Sequence, residues 1–315
     1  MMVYINCKLC GSNDYKLLFK KKDYTYQISE IDFCVVKCKQ CGLVYVNPRP
    51  DENEIHNYYP NEFYQTNITK EKLLEESQFH NELKYSYIKE LKPGCLLDIG
   101  CNKGEFMYYM EKKGWDVYGV EFSIKPPNMF DKRIFYGDIK KADFNHEQFD
   151  LITMWAVLEH VYEPMEMLQY AYKLLKKNGI IVILVTNFKA FPGWFMQQDD
   201  IPRHTTLFTK NTLKCMLNKS GFKNHKFYYN HLLFGGRNRG LFNYIIKLML
   251  GENKEDIVAQ NRTPGRWQEF SSKLKTKDSK FMQYVDKFDI WITPYIDIIC
   301  DILGLGMIMI SKSQK

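Results

Sequence analysis

The sequence lacks an uninterrupted apolar run long enough for a membrane-spanning helix. Its most apolar stretch covers residues 291–310, but Asp297 and Asp301 interrupt it. Carboxylates in the middle of a span are costly in lipid, so we predict a buried helix that leads into a strand. Residues 1–15 also lack a basic segment followed by an apolar core and a small-residue cleavage site. No signal peptide is therefore expected, and the chain is predicted to be cytoplasmic.

Dense runs of one charge, internal repeats and low-complexity tracts are also absent from the sequence. The 44 basic and 37 acidic residues leave a net charge of +7, which is spread along the chain. This excess is compatible with a phosphate-bearing partner, but without a basic block it is more typical of a lysine-rich surface. With 315 residues, 45% of them hydrophobic, the chain can form one large globular domain and one small one.

The nine cysteines do not form an even set with the spacing of a disulfide framework. Four of them form two matching Cys-x-x-Cys-Gly motifs, Cys7 with Cys10 and Cys38 with Cys41. Two such pairs supply the four thiolates that tetrahedral zinc prefers, and they leave no position for water. The sequence therefore predicts a structural zinc ion that supplies folding free energy to a small module. A redox-active pair is the alternative, and Cys34 is expected to stay outside the site.

Turn-forming residues and changes of periodicity divide the chain. Pro48 and Pro50 make a rigid break after the cysteine motifs, and Thr69 can cap a helix that runs to about Leu91. From residue 95, short apolar strands alternate with helices, which predicts an α/β fold with helices on both faces of a parallel sheet. We predict a zinc-binding module over 1–46, a linker and helical lid over 47–93, a core over 94–235, a helical insertion over 236–303 and a closing core strand over 304–315.

The most informative motif is a glycine-spaced turn after the first strand of the predicted core. The segment from Leu96 to Gly104 places Asp98 near the end of that strand and Gly100 in the turn. Without a Cβ, glycine lets the backbone approach a ligand, and open α/β sheets bind ligands at this edge. The segment resembles the first motif of class I S-adenosylmethionine-dependent methyltransferases. Asn102 stands in place of the middle glycine, and asparagine tolerates a left-handed backbone.

Further segments resemble the later motifs of the same family, in the same order. Glu121 ends the second strand, where a carboxylate can accept hydrogen bonds from ribose hydroxyls. That feature also suits a nicotinamide-binding fold, which is the main alternative. The segments around Asp138, over 149–161 and over 174–180 resemble the third, fourth and fifth strand motifs of the methyltransferases. Four matches in order favour the methyltransferase over the nicotinamide-binding fold.

The resemblance covers residues 94–230 and 304–312 and implies a Rossmann-like sheet. It also implies that S-adenosylmethionine is the cofactor. The residues expected to bind that cofactor are Asp98, Gly100, Cys101, Asn102, Gly104, Glu121, Phe122, Asp138, Ile139 and Trp155.

Methyl transfer to many acceptors needs a group that removes a proton. His204 and His160 are the predicted catalytic residues. His160 follows the fourth strand of the core and His204 lies in a loop after the fifth, where related methyltransferases carry a histidine. His231 is a further candidate, and a structural role is the alternative for each. Arg203, beside His204, is expected to clamp a phosphate or carboxylate.

Chains that join a zinc module to this kind of domain resemble bacterial enzymes that methylate sugars for surface polysaccharides and natural products. The predicted acceptor is therefore a small molecule, a sugar or nucleotide-linked sugar, with O-methylation favoured over C-methylation. Two other functions stay open. One is an RNA methyltransferase whose zinc module docks nucleic acid, and salt-dependent RNA binding would support it. The other is a noncatalytic protein that binds S-adenosylmethionine.

Overall fold

The computed structural model describes residues 1–23, 25–59, 69–122, 133–191, 200–234, 240–252 and 280–315. The chain separates into two compact units, each assembled from three segments. We call them the cysteine unit (Met1–Pro60, Thr186–Thr209 and Tyr228–Met309) and the sheet unit (Asn61–Val185, Lys210–Phe227 and Ile310–Lys315).

The strands and helices are numbered in chain order. The strands are β1 (Met2–Val3), β2 (Tyr15–Lys21), β3 (Phe33–Cys38), β4 (Val44–Val46), β5 (Arg49–Pro50), β6 (Cys95–Ile99), β7 (Asp116–Glu121), β8 (Ile134–Tyr136), β9 (Phe149–Trp155), β10 (Leu175–Thr186), β11 (Thr206–Leu207), β12 (Lys223–Tyr229) and β13 (Ile308–Gln314). The helices are α1 (Lys70–Ser86), α2 (Glu105–Lys112), α3 (Pro164–Leu174), α4 (Lys210–Lys219), α5 (Leu241–Met249) and α6 (Lys280–Leu303).

The sheet unit is built on a seven-stranded sheet with the order β12-β13-β10-β9-β6-β7-β8. The pairings β10 with β9, β9 with β6, β6 with β7 and β7 with β8 are all parallel. Strand β13 runs antiparallel to β10, since Asn187 N–H bonds to Met307 O while Lys315 N–H bonds to Gly179 O. Strands β6 and β9 are apolar and almost entirely buried, as expected for a sheet covered on both faces. The predicted α/β fold class is confirmed.

Two helices of the sheet unit, α1 and α3, begin at residues that the capping rules indicate. Thr69 caps α1, because its hydroxyl accepts the Lys72 N–H at 3.3 Å. The helix ends at Ser86, earlier than the predicted Leu91. Pro164 occupies the first turn of α3, where its missing N–H has no cost, and α3 buries Met167, Leu168 and Ala171.

The cysteine unit contains a four-stranded antiparallel sheet with the order β11-β4-β3-β2. Its edge strand β11 comes from Thr206 and Leu207, far along the chain from the other three strands. The core of this sheet is formed by Phe33, Val35, Val44, Val46, Ile201 and Leu207. The small sheet therefore includes residues from well outside the predicted module over 1–46. The local sequence pattern does not show this contribution.

Helices α5 and α6 pack together in the cysteine unit. The carboxylate of Asp289 on α6 accepts the Asn243 N–H near the start of α5 at 3.2 Å, and Asp286 accepts the Asn243 amide at 2.7 Å. The expectation that this apolar C-terminal stretch is buried is wrong for much of α6, because Trp291 and Ile302 are exposed by 62% and 78%. Within the ranges described, no helix is both long and apolar enough to cross a membrane.

Candidate cofactor site and cysteine cluster

The turn between β6 and α2 holds three residues with a left-handed backbone at alternate positions. Gly100, Asn102 and Gly104 have φ values of 73°, 49° and 82°. At Gly100 an added Cβ would collide with the side chain of Val157, so glycine is required there for space as well as conformation. Asn102 adopts the left-handed conformation expected of it when it replaces a glycine.

Glu121 links the end of β7 to this turn. Its Oε2 atom accepts the backbone N–H of Asn102 at 2.7 Å, and the residue is 9% exposed. This charge-assisted hydrogen bond fixes the orientation of the turn and of the carboxylate together. Phe122, the next residue, is 44% exposed. The two predicted cofactor residues therefore differ in their surroundings. Glu121 is hydrogen-bonded to the turn, whereas Phe122 exposes its ring to solvent.

Asp98 is buried beneath the same turn, and its Oδ1 accepts the Thr153 hydroxyl at 2.6 Å. Burial raises the pKa of Asp98 to about 7, although the Thr153 hydrogen bond and the positive charge of Lys84 favour the carboxylate. A cationic group placed beside Asp98 would favour its ionised form further. Cys101, also buried, has its thiol pKa raised by burial and by the neighbouring carboxylates.

Lys84 on α1 is a site residue that the sequence reasoning missed. Its Nζ lies 5.3 Å from the centre of the Phe106 ring and 5.4 Å from the centre of the Trp155 ring. Burial lowers the pKa of Lys84, while the carboxylates of Asp98 and Glu105 favour its charged form. No local motif marks this lysine, because it lies in an ordinary lysine- and glutamate-rich helix. It places a cation beside the predicted cofactor residues.

Trp155 ends β9 and packs edge-on against Phe106, with 5.2 Å between the ring centres. Its indole Nε1–H is buried and has no hydrogen-bond partner within the part of the chain that the structure describes. A buried N–H without a partner is costly. The indole therefore offers a donor to a ligand in addition to an aromatic surface.

Asp138 and Ile139 follow β8, which pairs with β7 on the side away from β6. Asp138 is exposed, and its Oδ1 accepts the Lys140 N–H at 3.0 Å at the start of a short 3₁₀ turn. The side chain of Ile139 is completely buried in the core. Asp138 can therefore present a carboxylate oxygen to a ligand, whereas Ile139 can contribute only its backbone.

His160, one of the two predicted catalytic residues, lies in a 3₁₀ turn (Leu158–His160) after β9. It is half-buried, and the neighbouring Glu159 is completely buried. The backbone N–H of His160 bonds to Val157 O at 2.9 Å. His160 is thus held on a short turn beside Val157, the residue that packs against Gly100.

Arg203 is completely buried in the cysteine unit, and each of its five N–H groups donates a hydrogen bond to another part of the protein. Its guanidinium donates to both carboxylate oxygens of Asp200 at 2.9 and 2.6 Å and to both of Asp23 at 2.6 and 3.2 Å. The fifth N–H bonds to Tyr58 O at 2.6 Å. The expectation that Arg203 clamps a substrate anion is therefore wrong, because two of the chain's own carboxylates and the Tyr58 carbonyl together occupy its five donors.

His204, the other predicted catalytic residue, is 2% exposed in the cysteine unit. Its backbone N–H donates to Asp200 O at 2.6 Å, and its Nδ1 lies 3.5 Å from the Asp200 N–H. His231 forms a different arrangement in this unit, because its Nδ1 lies 2.7 Å from Asp301 Oδ2. The same oxygen also accepts the His231 backbone N–H at 2.9 Å.

The four predicted zinc ligands come together in the cysteine unit, with sulfur atoms that all lie within 4.8 Å of one another. The sulfurs of Cys7 and Cys41 are 3.4 Å apart, and those of Cys10 and Cys38 are 3.5 Å apart. These separations are far longer than a disulfide bond, and four converging thiols match the donor set of a tetrahedral zinc site. Gly11 and Gly42 follow the two motifs with φ values of 78° and 77°. Cys34 lies outside this cluster, as expected.

The segment that carries the glycine-spaced turn is similar to a known protein family. Residues 74–226 match the family described as "Methyltransferase domain". This segment is therefore similar to methyltransferase domains, and it includes most of α1 with Lys84.

The curated relatives include ubiquinone biosynthesis O-methyltransferases. The protein from Actinobacillus pleuropneumoniae serotype 7 is 30% identical over 125 residues, which are 34% of this chain and 53% of that protein. The protein from Pasteurella multocida is 31% identical over 137 residues, 36% of this chain and 56% of that protein. The chain thus spans only about half the length of these relatives.

Among solved structures, a SAM-dependent methyltransferase from Archaeoglobus fulgidus is 17% identical, with a TM-score of 0.46. The alignment covers 77% of this chain and 99% of that one.

Proposed function

We propose that this chain transfers a methyl group from S-adenosylmethionine to a hydroxyl group of a small molecule. The observation that carries the proposal is the turn of Gly100, Asn102 and Gly104, fixed by Glu121, in a domain that matches methyltransferases. The left-handed positions bring backbone to the sheet edge where α/β folds bind ligands.

The site residues fit the chemistry of this cofactor. S-adenosylmethionine supplies, when bound, an electrophilic methyl group and a good leaving group. Glu121 would accept hydrogen bonds from the ribose hydroxyls, and Asp138 one from the adenine amine. Lys84 would hold the carboxylate of the amino-acid part, and Asp98 would face its positive charges. Backbone in the Gly100–Gly104 turn, with Cys101, would line the tail of the cofactor.

Two observations support the proposed acceptor: the first concerns the acceptor atom and the second the class of molecule. The curated relatives are named as O-methyltransferases, and the chain pairs its methyltransferase domain with a four-cysteine cluster, as in the sugar-methylating enzymes that the sequence resembles. We therefore keep a sugar or nucleotide-linked sugar as the proposed acceptor. His160 or His204 would take the hydroxyl proton, which contributes about a hundred- to ten-thousandfold in rate where the proton transfer is needed.

A zinc ion held by Cys7, Cys10, Cys38 and Cys41 is the second part of the proposal. The four sulfur atoms form a complete ligand set, so the ion would leave no position for a substrate and would act in folding.

Calorimetric titration of the full chain tests the cofactor directly. We expect heat of binding with S-adenosylmethionine and none with a nicotinamide dinucleotide. The opposite result would reject the proposed cofactor. A second assay follows labelled methyl transfer to nucleotide-linked sugars, to hydroxylated quinone precursors, and to RNA. Transfer to the sugars supports the proposed acceptor. Transfer to the quinone precursors alone, or to RNA alone, rejects it and assigns that acceptor instead.

A further inference from the structure

Helix α6 carries a continuous apolar stripe on its exposed surface. Its members follow one another at alternating steps of four and three residues, and each is 45–78% exposed. We call this set the α6 stripe, and it consists of Tyr284, Phe288, Trp291, Tyr295, Ile298 and Ile302.

The stripe lies on the side of α6 away from its buried face, and one of its members, Phe288, also packs edge-on against Phe242 of α5, with 5.0 Å between the ring centres. The opposite positions Val285, Asp289, Thr293 and Cys300 are buried, and Asp289 bonds to the start of α5. Within the stripe, Phe288 contacts Trp291 and Trp291 contacts Tyr295, with 6.0 and 6.1 Å between ring centres. The helix therefore has one buried face that the unit uses and a second, apolar face that the described residues leave largely exposed to solvent.

A second face of this size is large enough for a specific interface. A large aromatic side chain buries about 150–250 Å² when it is fully covered. Six residues exposed to the extent found here offer on the order of 600 Å² per copy, and Ile290, Ile299 and Leu303 flank them with exposures of 54–66%. Specific interfaces bury about 600–1,000 Å² on each partner, and exposed apolar patches of several hundred Å² mark interaction sites.

The spacing and charge of α6 indicate what covers the stripe. An average step of 3.5 residues is the repeat with which one helix packs along another. A helix that lies on an anionic bilayer carries lysine and arginine on its polar face, whereas α6 contains four aspartates and two lysines. Pro294 lies between Trp291 and Tyr295 and limits the straight length of the helix, which favours a short crossing over a long coiled coil.

We propose that the α6 stripe is a homodimer interface, in which the stripe of one copy packs on the same stripe of a second copy. A two-fold axis allows one patch to serve both partners, because the surface needs to complement only itself. Trp291 is at the centre of the stripe and supplies the largest side chain, as the anchors of protein interfaces do. This inference does not depend on the proposed methyl transfer.

Sedimentation analysis of the full chain across a concentration series tests the interface. We expect a monomer–dimer equilibrium in the wild type. Trp291→Glu places a charge at the centre of the stripe and is expected to raise the dimer dissociation constant by at least about tenfold. Tyr284→Lys, nearer the end of the stripe, is expected to act in the same direction but less strongly. Gln283→Glu adds the same charge as the first variant at an exposed position beside the stripe and is the matched control.

The outcomes separate the interface from its alternatives. Circular dichroism melts of each variant show whether the fold is retained, and 62% exposure of Trp291 makes a folding defect unexpected. A wild type that stays monomeric at every concentration, or a dimer that Trp291→Glu leaves unchanged, overturns the proposal. A monomer that co-sediments with phosphatidylglycerol vesicles through Trp291 also overturns it and assigns the stripe to a lipid surface.

Discussion

Arg203 forms a bidentate ion pair with Asp23, a residue 180 positions earlier in the chain, and both side chains are completely buried. The same guanidinium holds Asp200 and stacks on the Tyr26 ring at 4.4 Å. These contacts join the loop after β2 to the loop before β11. The cysteine unit is therefore held together by ionic contacts as well as by its apolar core.

Breaking this cluster is expected to destabilise the cysteine unit strongly. Arg203→Met leaves Asp23 and Asp200 buried without their cation, and removal of one partner of a buried ion pair typically costs about 3–5 kcal/mol. Denaturant unfolding monitored by tryptophan fluorescence measures the change. Lys39→Ala is the control, because its ion pair with Asp14 is exposed on both sides and should contribute about 1 kcal/mol or less. Equal stability losses in the two variants would contradict the assigned role.

The same cluster predicts a loss of stability in acid. Burial alone would raise the pKa of Asp200, but the hydrogen bonds and charge of Arg203 outweigh burial and hold this pKa far below its usual value. A carboxyl with a depressed pKa in the folded state stabilises the fold above its unfolded pKa of about 3.9 and loses that contribution as the pH falls below it. The free energy of unfolding of the wild type should therefore drop between about pH 5 and pH 2 more steeply than that of Arg203→Met. Parallel pH profiles would show that the ion pair adds no stability.

The left-handed backbone at Asn102 predicts opposite responses to two small substitutions. Asn102→Ala should cost about 1–2 kcal/mol, because a Cβ without a compensating polar side chain is unfavourable in this conformation. Asn102→Gly should leave stability nearly unchanged and preserve S-adenosylmethionine binding, since glycine adopts the same φ freely. Thermal melts and calorimetric titration of both variants measure these effects. If alanine proves as stable as glycine, the turn does not hold the φ of 49° found here.

Asp98 predicts a pH dependence of cofactor affinity. Burial raises its pKa to about 7, so the fraction of ionised Asp98 increases from pH 6 to pH 8. S-adenosylmethionine carries positive charge, and its dissociation constant should therefore fall as the pH rises through this window. Asp98→Asn should weaken binding at pH 8 and flatten the profile, whereas Asp143→Asn, at an exposed position, should leave it unchanged. An unaltered slope in Asp98→Asn would assign the titration to another group.

The cysteine cluster predicts metal-dependent stability. Purified protein should contain one zinc ion per chain by mass spectrometry of its metal content, and Cys38→Ser should lose the ion and much of the stability of the cysteine unit. Cys34→Ser is the matched control, since Cys34 lies four residues away and outside the cluster. Retention of zinc by Cys38→Ser, or its loss from Cys34→Ser, would contradict the ligand set.

Local sequence signals predicted the parts of this molecule that depend on neighbouring residues. The glycine-spaced turn, the strand that precedes it and the capping of α1 by Thr69 each follow from a few consecutive side chains. The two cysteine motifs were also readable, because each closes a tight turn within five residues and the donor chemistry pairs them.

The features that the sequence did not reveal depend on residues distant in the chain. An arginine in a loop after a strand is typical of an anion-binding site, but Asp23, 180 residues away, accepts two of the Arg203 donors, and Asp200 and the Tyr58 carbonyl accept the other three. The apolar residues of α6 are expected to be buried because exposing them to water is unfavourable. Hydropathy does not show whether the same chain or another molecule covers them. Lys84 has no motif, and only the fold brings its ammonium group to the aromatic rings of Phe106 and Trp155.

Strand β11 has a consequence for the order in which the molecule is made. The β2–β4 part of the small sheet is synthesised first, yet its remaining strand and two members of its core, Ile201 and Leu207, leave the ribosome about 150 residues later. Until then, β4 is an open edge that can pair with other chains. A truncated protein that ends before residue 200 should consequently aggregate, even if its four cysteines are intact.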